Sequence, residues 1–185
     1  ISWMMYDWAN SAHSVIVVTI LPIFFDSVAS CTADSVSSMS TWGYATSIAM
    51  AIVALAAPFL GVFGDIRGMR KKLFTAFLLL GVVSVAGLAF TPLMDFASST
   101  AVASKVAMLV LVLYILSTIG FDASCIYYDA FLTDVTTEDR MDSVSTLGYG
   151  LGYIGGSTIP LLIFLIMNAV GVPMLTSLAI IFAIT

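Results

Sequence analysis

Read for polarity alone, the chain is a series of long apolar runs separated by short polar breaks. The runs at about 2–25, 41–63, 73–93, 105–129 and 143–167 are each long enough to be read as an α-helix that crosses the hydrocarbon of a bilayer, which takes roughly 20 residues. A sixth run opens at 172 and reaches Thr185 after 14 residues, too few to span. We read it as a sixth helix cut short, and both ends of the sequence as cuts from a longer protein. The stretches 26–40, 95–104 and 168–173 read as outer loops, and 61–72 and 133–142 as inner ones. The predicted architecture is an all-α integral membrane protein: one six-helix bundle over 1–185, its sixth helix truncated.

Polar residues inside the runs fall on helical faces. Asp7, Asn10, Ser11 and Ser14 recur at i, i+3, i+4 and i+7 in the first run, with His13 beside them. Thr118, Asp122, Cys125 and Asp129 form a second such stripe in the fourth. A charged residue at the centre of a membrane helix costs about 2.5–3.5 kcal/mol on insertion scales. It is tolerated mainly where it faces protein or water, and then marks a pathway. We therefore expect Asp7, Asn10, Ser11, Ser14 and Asp122 to line a solute path. The bland alternatives are that Asp7 reaches water at the inner helix end, and that Asp122 is a buried acid bonded to neighbouring hydroxyls or amides rather than a proton-coupling carboxylate. His13 is read as a packed core residue and Cys125 as packing. In the fifth run Gly148, Gly152 and Gly156 make a small-residue face for close helix contact, with a bend expected at Pro160. Pro22 should kink or end the first helix. Trp3 and Trp8 suit an interfacial aromatic belt.

Composition removes the soluble classes. The chain is 61% hydrophobic and 9% charged, with a mean hydropathy of +1.10, against about 25% charged residues in a soluble domain. Four of the six basic residues, Arg67, Arg70, Lys71 and Lys72, sit in one turn, and Arg140 lies in the other inner loop. Only Lys105 lies near an outer loop. The positive-inside bias therefore predicts a cytoplasmic N-terminus. The net charge of −5 comes mostly from acids in loops and at helix ends. Cys31 and Cys125 are placed near opposite membrane faces, too far apart for a disulfide. No Cys/His cluster has metal spacing and His13 is the sole histidine, so neither metal nor cofactor is expected, and no nucleic acid partner. The first run lacks a basic start and carries Asp7, so it is not read as a cleavable signal peptide.

The basic turn carries a resemblance. Gly61-Val62-Phe63-Gly64-Asp65-Ile66-Arg67-Gly68-Met69-Arg70 resembles the loop between helices two and three of the major facilitator superfamily, G-x-x-x-D-R-x-G-R-R/K. Gly61, Asp65, Gly68 and Arg70 fall in register. Ile66 stands where the family has its first base, Arg67 follows it, and Met69 replaces another base. Three further stretches resemble one branch, the vacuole effluxers that include autophagy-related vacuolar amino-acid exporters. They are Trp3 to Ala12 with its Y-D-W-A-N-S core, Tyr127 to Leu132, and Ser145 to Gly156. The fifth-run glycines are also similar to an antiporter motif, but Tyr153 stands where that motif has proline, and no antiport claim is carried.

The resemblance implies the N-terminal half of a two-half transporter that works by alternating access around a central cavity. It implies amino-acid efflux, from a vacuolar membrane in a eukaryote or across the plasma membrane in a bacterium. Implied partners are a small-molecule substrate, coupled protons, the lipid bilayer and a C-terminal half absent from this chain. Gly61, Asp65, Arg67, Gly68 and Arg70 become a gate motif whose bases meet an acid at the inner end of helix four. Asp134 is the first choice for that acid and Asp129 the second. Two other function classes compete. An intramembrane aspartyl protease would use Tyr6-Asp7 and a Gly-x-Gly-Asp; Val62 breaks the second motif, and Asp65 lies among bases where it cannot share a proton. No enzyme is therefore expected. A non-transporting structural or receptor-like membrane protein is the remaining alternative.

Overall fold

The fold is a computed structural model that describes residues 2–32 and 35–185. Among the described residues there are helices and turns and no strand. The helices are α1 (Ser2–Thr19), α2 (Leu21–Ala29), α3 (Ser35–Asp65), α4 (Arg70–Phe90), α5 (Thr100–Ala130), the short α6 (Leu132–Val135), α7 (Met141–Leu151), α8 (Ile159–Ala169) and α9 (Met174–Ile184). A π-helical segment, Gly152–Thr158, joins α7 to α8. Five stretches are long and apolar enough to cross a bilayer: Trp3–Ala29, Ser37–Asp65, Arg70–Leu93, Thr100–Ala130 and Glu138–Ala169. The chain is an integral, multi-pass membrane protein.

The outer breaks are smaller than the polarity pattern suggests. The stretch 26–40 is not a loop throughout: α2 continues to Ala29 and α3 is already formed at Ser35, while residues 33 and 34 lie outside the described residues. The stretch holds no Gly or Pro to stop a helix. Its hydroxyls bond back along the chain, as Thr32 Oγ1 does to Ala29 O at 2.8 Å and Ser30 Oγ to Ser27 O at 2.9 Å. Asp26 reaches across to accept a hydrogen bond from Ser38. Likewise α5 begins at Thr100, where Ser99 Oγ caps the N–H of Val102 at 3.3 Å. The stretch 133–142 is partly helical, holding most of α6 and a 3-10 turn. Pro22 sits in the first turn of α2; its missing N–H leaves a gap in the ladder where α1 gives way to α2.

Glycines set how closely the spans approach. Gly81 of α4 and Gly120 of α5 meet backbone to backbone: a Cβ on Gly120 would lie 2.5 Å from Gly81 N and 2.8 Å from Phe77 O. On the other side of α1, the Gly148–Gly152–Gly156 face seats α1 itself. A Cβ on Gly152 would stand 2.6 Å from Ser11 Oγ, and one on Gly156 2.8 Å from Ser11 Cβ. The π segment contains Gly152 and Gly156 of this contact and ends just before Pro160, whose ring cannot continue an i→i+4 ladder. The half of the bundle away from the basic turn is filled by Ile16, Leu21, Phe24, Phe25 and Val28 against Val110, Tyr114, Leu178, Ile181 and Phe182. The large exposed apolar side chains, such as Leu55, Phe59 and Val83, face where a bilayer's tails would lie.

Candidate functional site

Two polar assemblies stand out. The first is built where α3 turns into α4. Gly68 takes φ +81°, a left-handed backbone that glycine adopts freely, so the chain reverses and Arg70 enters the first turn of α4. The Arg70 guanidinium then gathers three elements. Its Nη1 donates to Asp134 Oδ2 at 3.0 Å and to Ala130 O at 3.3 Å, and its Nε to Gly64 O at 3.4 Å. Asp65 Oδ1 lies 4.0 Å from Nη2, and the Phe131 ring centroid is 5.9 Å from the guanidinium carbon. Asp134 sits not on α5 but on α6, the single turn just beyond it. Asp129 is exposed and makes no ion pair among the described residues. Arg67 is exposed and has no partner among the described residues, and nothing lies within 4 Å of where a Cβ on Gly61 would stand.

The second assembly joins α1 to α5 in antiparallel steps. Trp3 Nε1 donates to Tyr128 O at 3.0 Å while the two rings stack at 4.3 Å. Ser124 Oγ donates to Phe121 O at 2.8 Å, so in the 2.6 Å contact with Tyr6 the phenol is the donor. Asn10 Nδ2 approaches Cys125 Sγ at 3.3 Å, and the His13 ring stacks on Phe121 at 4.5 Å. The four residues expected to form one stripe therefore part. Asn10 faces α5. Asp7 and Ser11 face the fifth span, where a Cβ on Gly148 or Gly152 would lie 3.5 or 3.3 Å from Asp7 Oδ2. Ser14 is exposed.

Asp7 and Asp122 are half-buried, and neither has a hydrogen bond or ion pair among the described residues. Asp129 lies within electrostatic reach of Asp7. Asp7, Asp122 and Asp129 thus lie within membrane spans and pair with no base among the described residues. Among the described residues no group of His, Cys, Asp and Glu is placed to hold a metal. A cavity of about 180 Å³ lies elsewhere, beside α9, with Tyr6, Asn10 and His13 among its walls.

The family model described as "Vacuole effluxer Atg22 like" matches residues 1–185. The chain belongs to this vacuole effluxer family. It is 44% identical over 164 residues to a Bacillus subtilis (strain 168) protein named "Uncharacterized MFS-type transporter YxiO". That match covers 88% of this chain and 36% of the Bacillus protein, so the chain spans about a third of the length of this relative. No solved structure matches. The all-helical architecture with five long apolar spans fits one half of a transporter of the major facilitator type, as expected of a vacuole effluxer.

Trp3, Tyr6, Ser124 and Tyr128 were not expected to act together. Tyr6, Asn10 and His13 do recur at i, i+4 and i+7, a face as regular as the carboxylate stripe but easily taken for core. The Gly81–Gly120 contact left no pattern to find, because Gly120 is alone in its apolar run and Gly81 and Gly87 are six residues apart, not at the i, i+4 spacing of a small-residue face.

Proposed function

We propose that the chain forms the N-terminal six-helix half of a secondary transporter, and that the whole protein moves small solutes, amino acids foremost, by alternating access. The observation that carries this reading is the placement of Asp7, Asp122 and Asp129 in membrane spans without a base. Carboxyls are costly there unless they face water or a solute, and such positions are where substrate and proton pathways run. A carboxylate is also a natural partner for the ammonium group of an amino acid. Membership of the vacuole effluxer family and the name of the Bacillus relative support the same class. Efflux is the direction proposed, with protons as the coupling ion and the N-terminus in the cytoplasm, where the basic turn belongs.

In this reading the Arg70 assembly biases the inner gate. Its ion pair is semi-exposed and worth up to about 1 kcal/mol. That is small against the fold but comparable to the few kcal/mol that separate two conformers. The test is flux: the full-length protein in liposomes preloaded with labelled neutral amino acids, with and without a pH gradient. Release above that of empty liposomes supports the reading. No release of any amino acid or sugar, from protein that is folded and inserted, would favour the non-transporting alternative.

A further inference from the structure

Two of the span carboxyls come together at one place. Asp7 lies one turn of α1 beyond Trp3, and Trp3 is fixed to α5 by its stack on Tyr128 and its bond to the Tyr128 carbonyl. Asp129 is the next residue of α5. The two carboxyls are within electrostatic reach of each other, and neither pairs with a base among the described residues. Asp129 is exposed and Asp7 half-buried, so a solute can reach both. Like charges so placed in a membrane span call for a shared positive partner.

Tyr128 marks the same place independently. It is 6% exposed, and its hydroxyl has no hydrogen-bond partner among the described residues. That hydroxyl is within electrostatic reach of both Asp7 and Asp129. A buried hydroxyl without a partner is a cost that native structures rarely keep. A carboxylate that turns toward Tyr128 accepts from the phenol and is thereby held in one orientation.

The surroundings narrow the cation. Among the described residues no group of His, Cys, Asp and Glu is placed to hold a metal. A quaternary ammonium needs open aromatic faces, and here the Tyr128 ring is covered by Trp3 at 4.3 Å and Tyr6 at 4.4 Å. A guanidinium seeks both oxygens of one carboxylate. A primary ammonium carries three N–H donors and no acceptor, which suits carboxylate oxygens arriving from two helices.

The charge around the pair narrows the solute. Asp122 stands two turns before Asp129 on the same face of α5, about 10 Å away at 1.5 Å per residue. No Lys or Arg stands in α1, and the one in α5, Lys105, is near its other end. A solute of net positive charge is therefore favoured over one whose ammonium is balanced by its own carboxylate.

We propose that Asp7 and Asp129 form a binding site for a primary ammonium group, with Tyr128 as a positioning residue for their carboxylates, and that the solute preferred there is a primary amine of net positive charge, such as a basic amino acid. That this amine is carried across the membrane rests on the transporter reading.

The test measures binding and flux separately on the full-length protein. Calorimetry in lipid nanodiscs compares lysine with leucine, and 1,5-diaminopentane with its fully N-methylated bis-quaternary analogue. Losing one charge-assisted hydrogen bond lowers affinity about tenfold or more. Lysine should therefore bind about tenfold tighter than leucine, and the diamine about tenfold tighter than its methylated analogue, which keeps the charge but has no N–H. Asp129→Asn should bring lysine down toward leucine. Tyr128→Phe should narrow the ratio of lysine to leucine affinity without lowering the melting temperature of the ligand-free protein; a merely structural loss would weaken both ligands alike. Equal affinity for leucine and lysine, no amine binding by folded protein, or the native ratio in both variants overturns the site. Lysine binding of the expected pattern without lysine flux in liposomes upholds the site and overturns the transporter reading. Flux that does not favour lysine over leucine and is unchanged by Asp129→Asn upholds the transporter reading and overturns the site.

Discussion

Arg70 Nη1 stands 3.0 Å from Asp134 Oδ2, and the same nitrogen also donates to the Ala130 carbonyl at 3.3 Å. One guanidinium thus binds the turn after α3 to both the last residue of α5 and the turn beyond it. A point charge cannot do this, because lysine lacks the planar fork that reaches several acceptors at once. Arg70→Lys should therefore behave nearly as Arg70→Ala in flux assays, with each shifting melting by the equivalent of about 1 kcal/mol. The swap Arg70→Asp with Asp134→Arg should recover part of the lost flux, since it restores the pair but not the bond to Ala130. Full recovery would mean that the carbonyl bonds contribute nothing.

The Gly81–Gly120 crossing should be among the least tolerant points of the fold. An added Cβ at Gly120 meets backbone atoms at 2.5–2.8 Å, and backbone cannot give way as a flexible side chain can. Gly120→Ala should destabilise by about 1–3 kcal/mol or more through overpacking. Gly43→Ala and Gly150→Ala are the controls, because nothing lies within 4 Å of a Cβ at either. Thermal unfolding in detergent reads the difference; equal stability of all three would refute the close crossing.

Much of the fold was legible because the bilayer makes polarity the dominant signal. The five spans follow from run length, and the Gly148–Gly152–Gly156 face from its spacing. The outer stretch 26–40 misled because Ser and Thr read as loop on composition, although each can bond its own helix backbone and none breaks it. The division of the first-span stripe could not be read from its spacing. At about 100° per residue, Ser11 lies some 40° to one side of Asp7 and Asn10 about 60° to the other. Only the positions of α5 and the fifth span decide which neighbour each meets, and a period cannot supply that.

The parted stripe leads to a prediction about flux. Asp7 has no ion pair among the described residues and faces the fifth span, whereas the Asn10 side chain bonds Cys125 Sγ at 3.3 Å. A sulfur acceptor is weak. Asp7→Asn should abolish or greatly reduce transport at normal membrane abundance, and Asn10→Ala should reduce it less. Ser14→Ala, at an exposed position, should change neither flux nor stability if that face meets lipid. If Asp7→Asn transports normally, the first-span carboxyl is structural.

Sidedness is best read at Arg67, which is exposed and has no partner among the described residues. Arg67→Cys avoids the strain that any side chain at Gly68 would meet at φ +81°. In sealed cells or vesicles a membrane-impermeant maleimide should react with this thiol only from the cytosolic side. Reaction from the opposite side in intact membranes would invert the topology.

The α1–α5 contact offers a sharper contrast between two tyrosines. The Tyr6 phenol donates a hydrogen bond to Ser124 Oγ at 2.6 Å, and Ser124 Oγ donates one to Phe121 O at 2.8 Å. Tyr128, one turn of α5 further on, buries a hydroxyl that has no hydrogen-bond partner among the described residues. Its ring nevertheless stacks on Trp3 at 4.3 Å and packs near Tyr6 at 4.4 Å. Deleting a bonded hydroxyl costs about 0.5–1.5 kcal/mol, whereas deleting an unbonded buried one removes a desolvation cost and keeps the ring contacts. Tyr6→Phe should therefore lower the melting temperature, and Tyr128→Phe should leave it unchanged or raise it. Tyr128→Ala should be the most harmful of the three, because the Trp3 indole loses its stacking surface while its bond to the Tyr128 carbonyl survives. If Tyr128→Phe proved as costly as Tyr6→Phe, that hydroxyl would have to be bonded in the membrane, and the contact between α1 and α5 would differ from the one described.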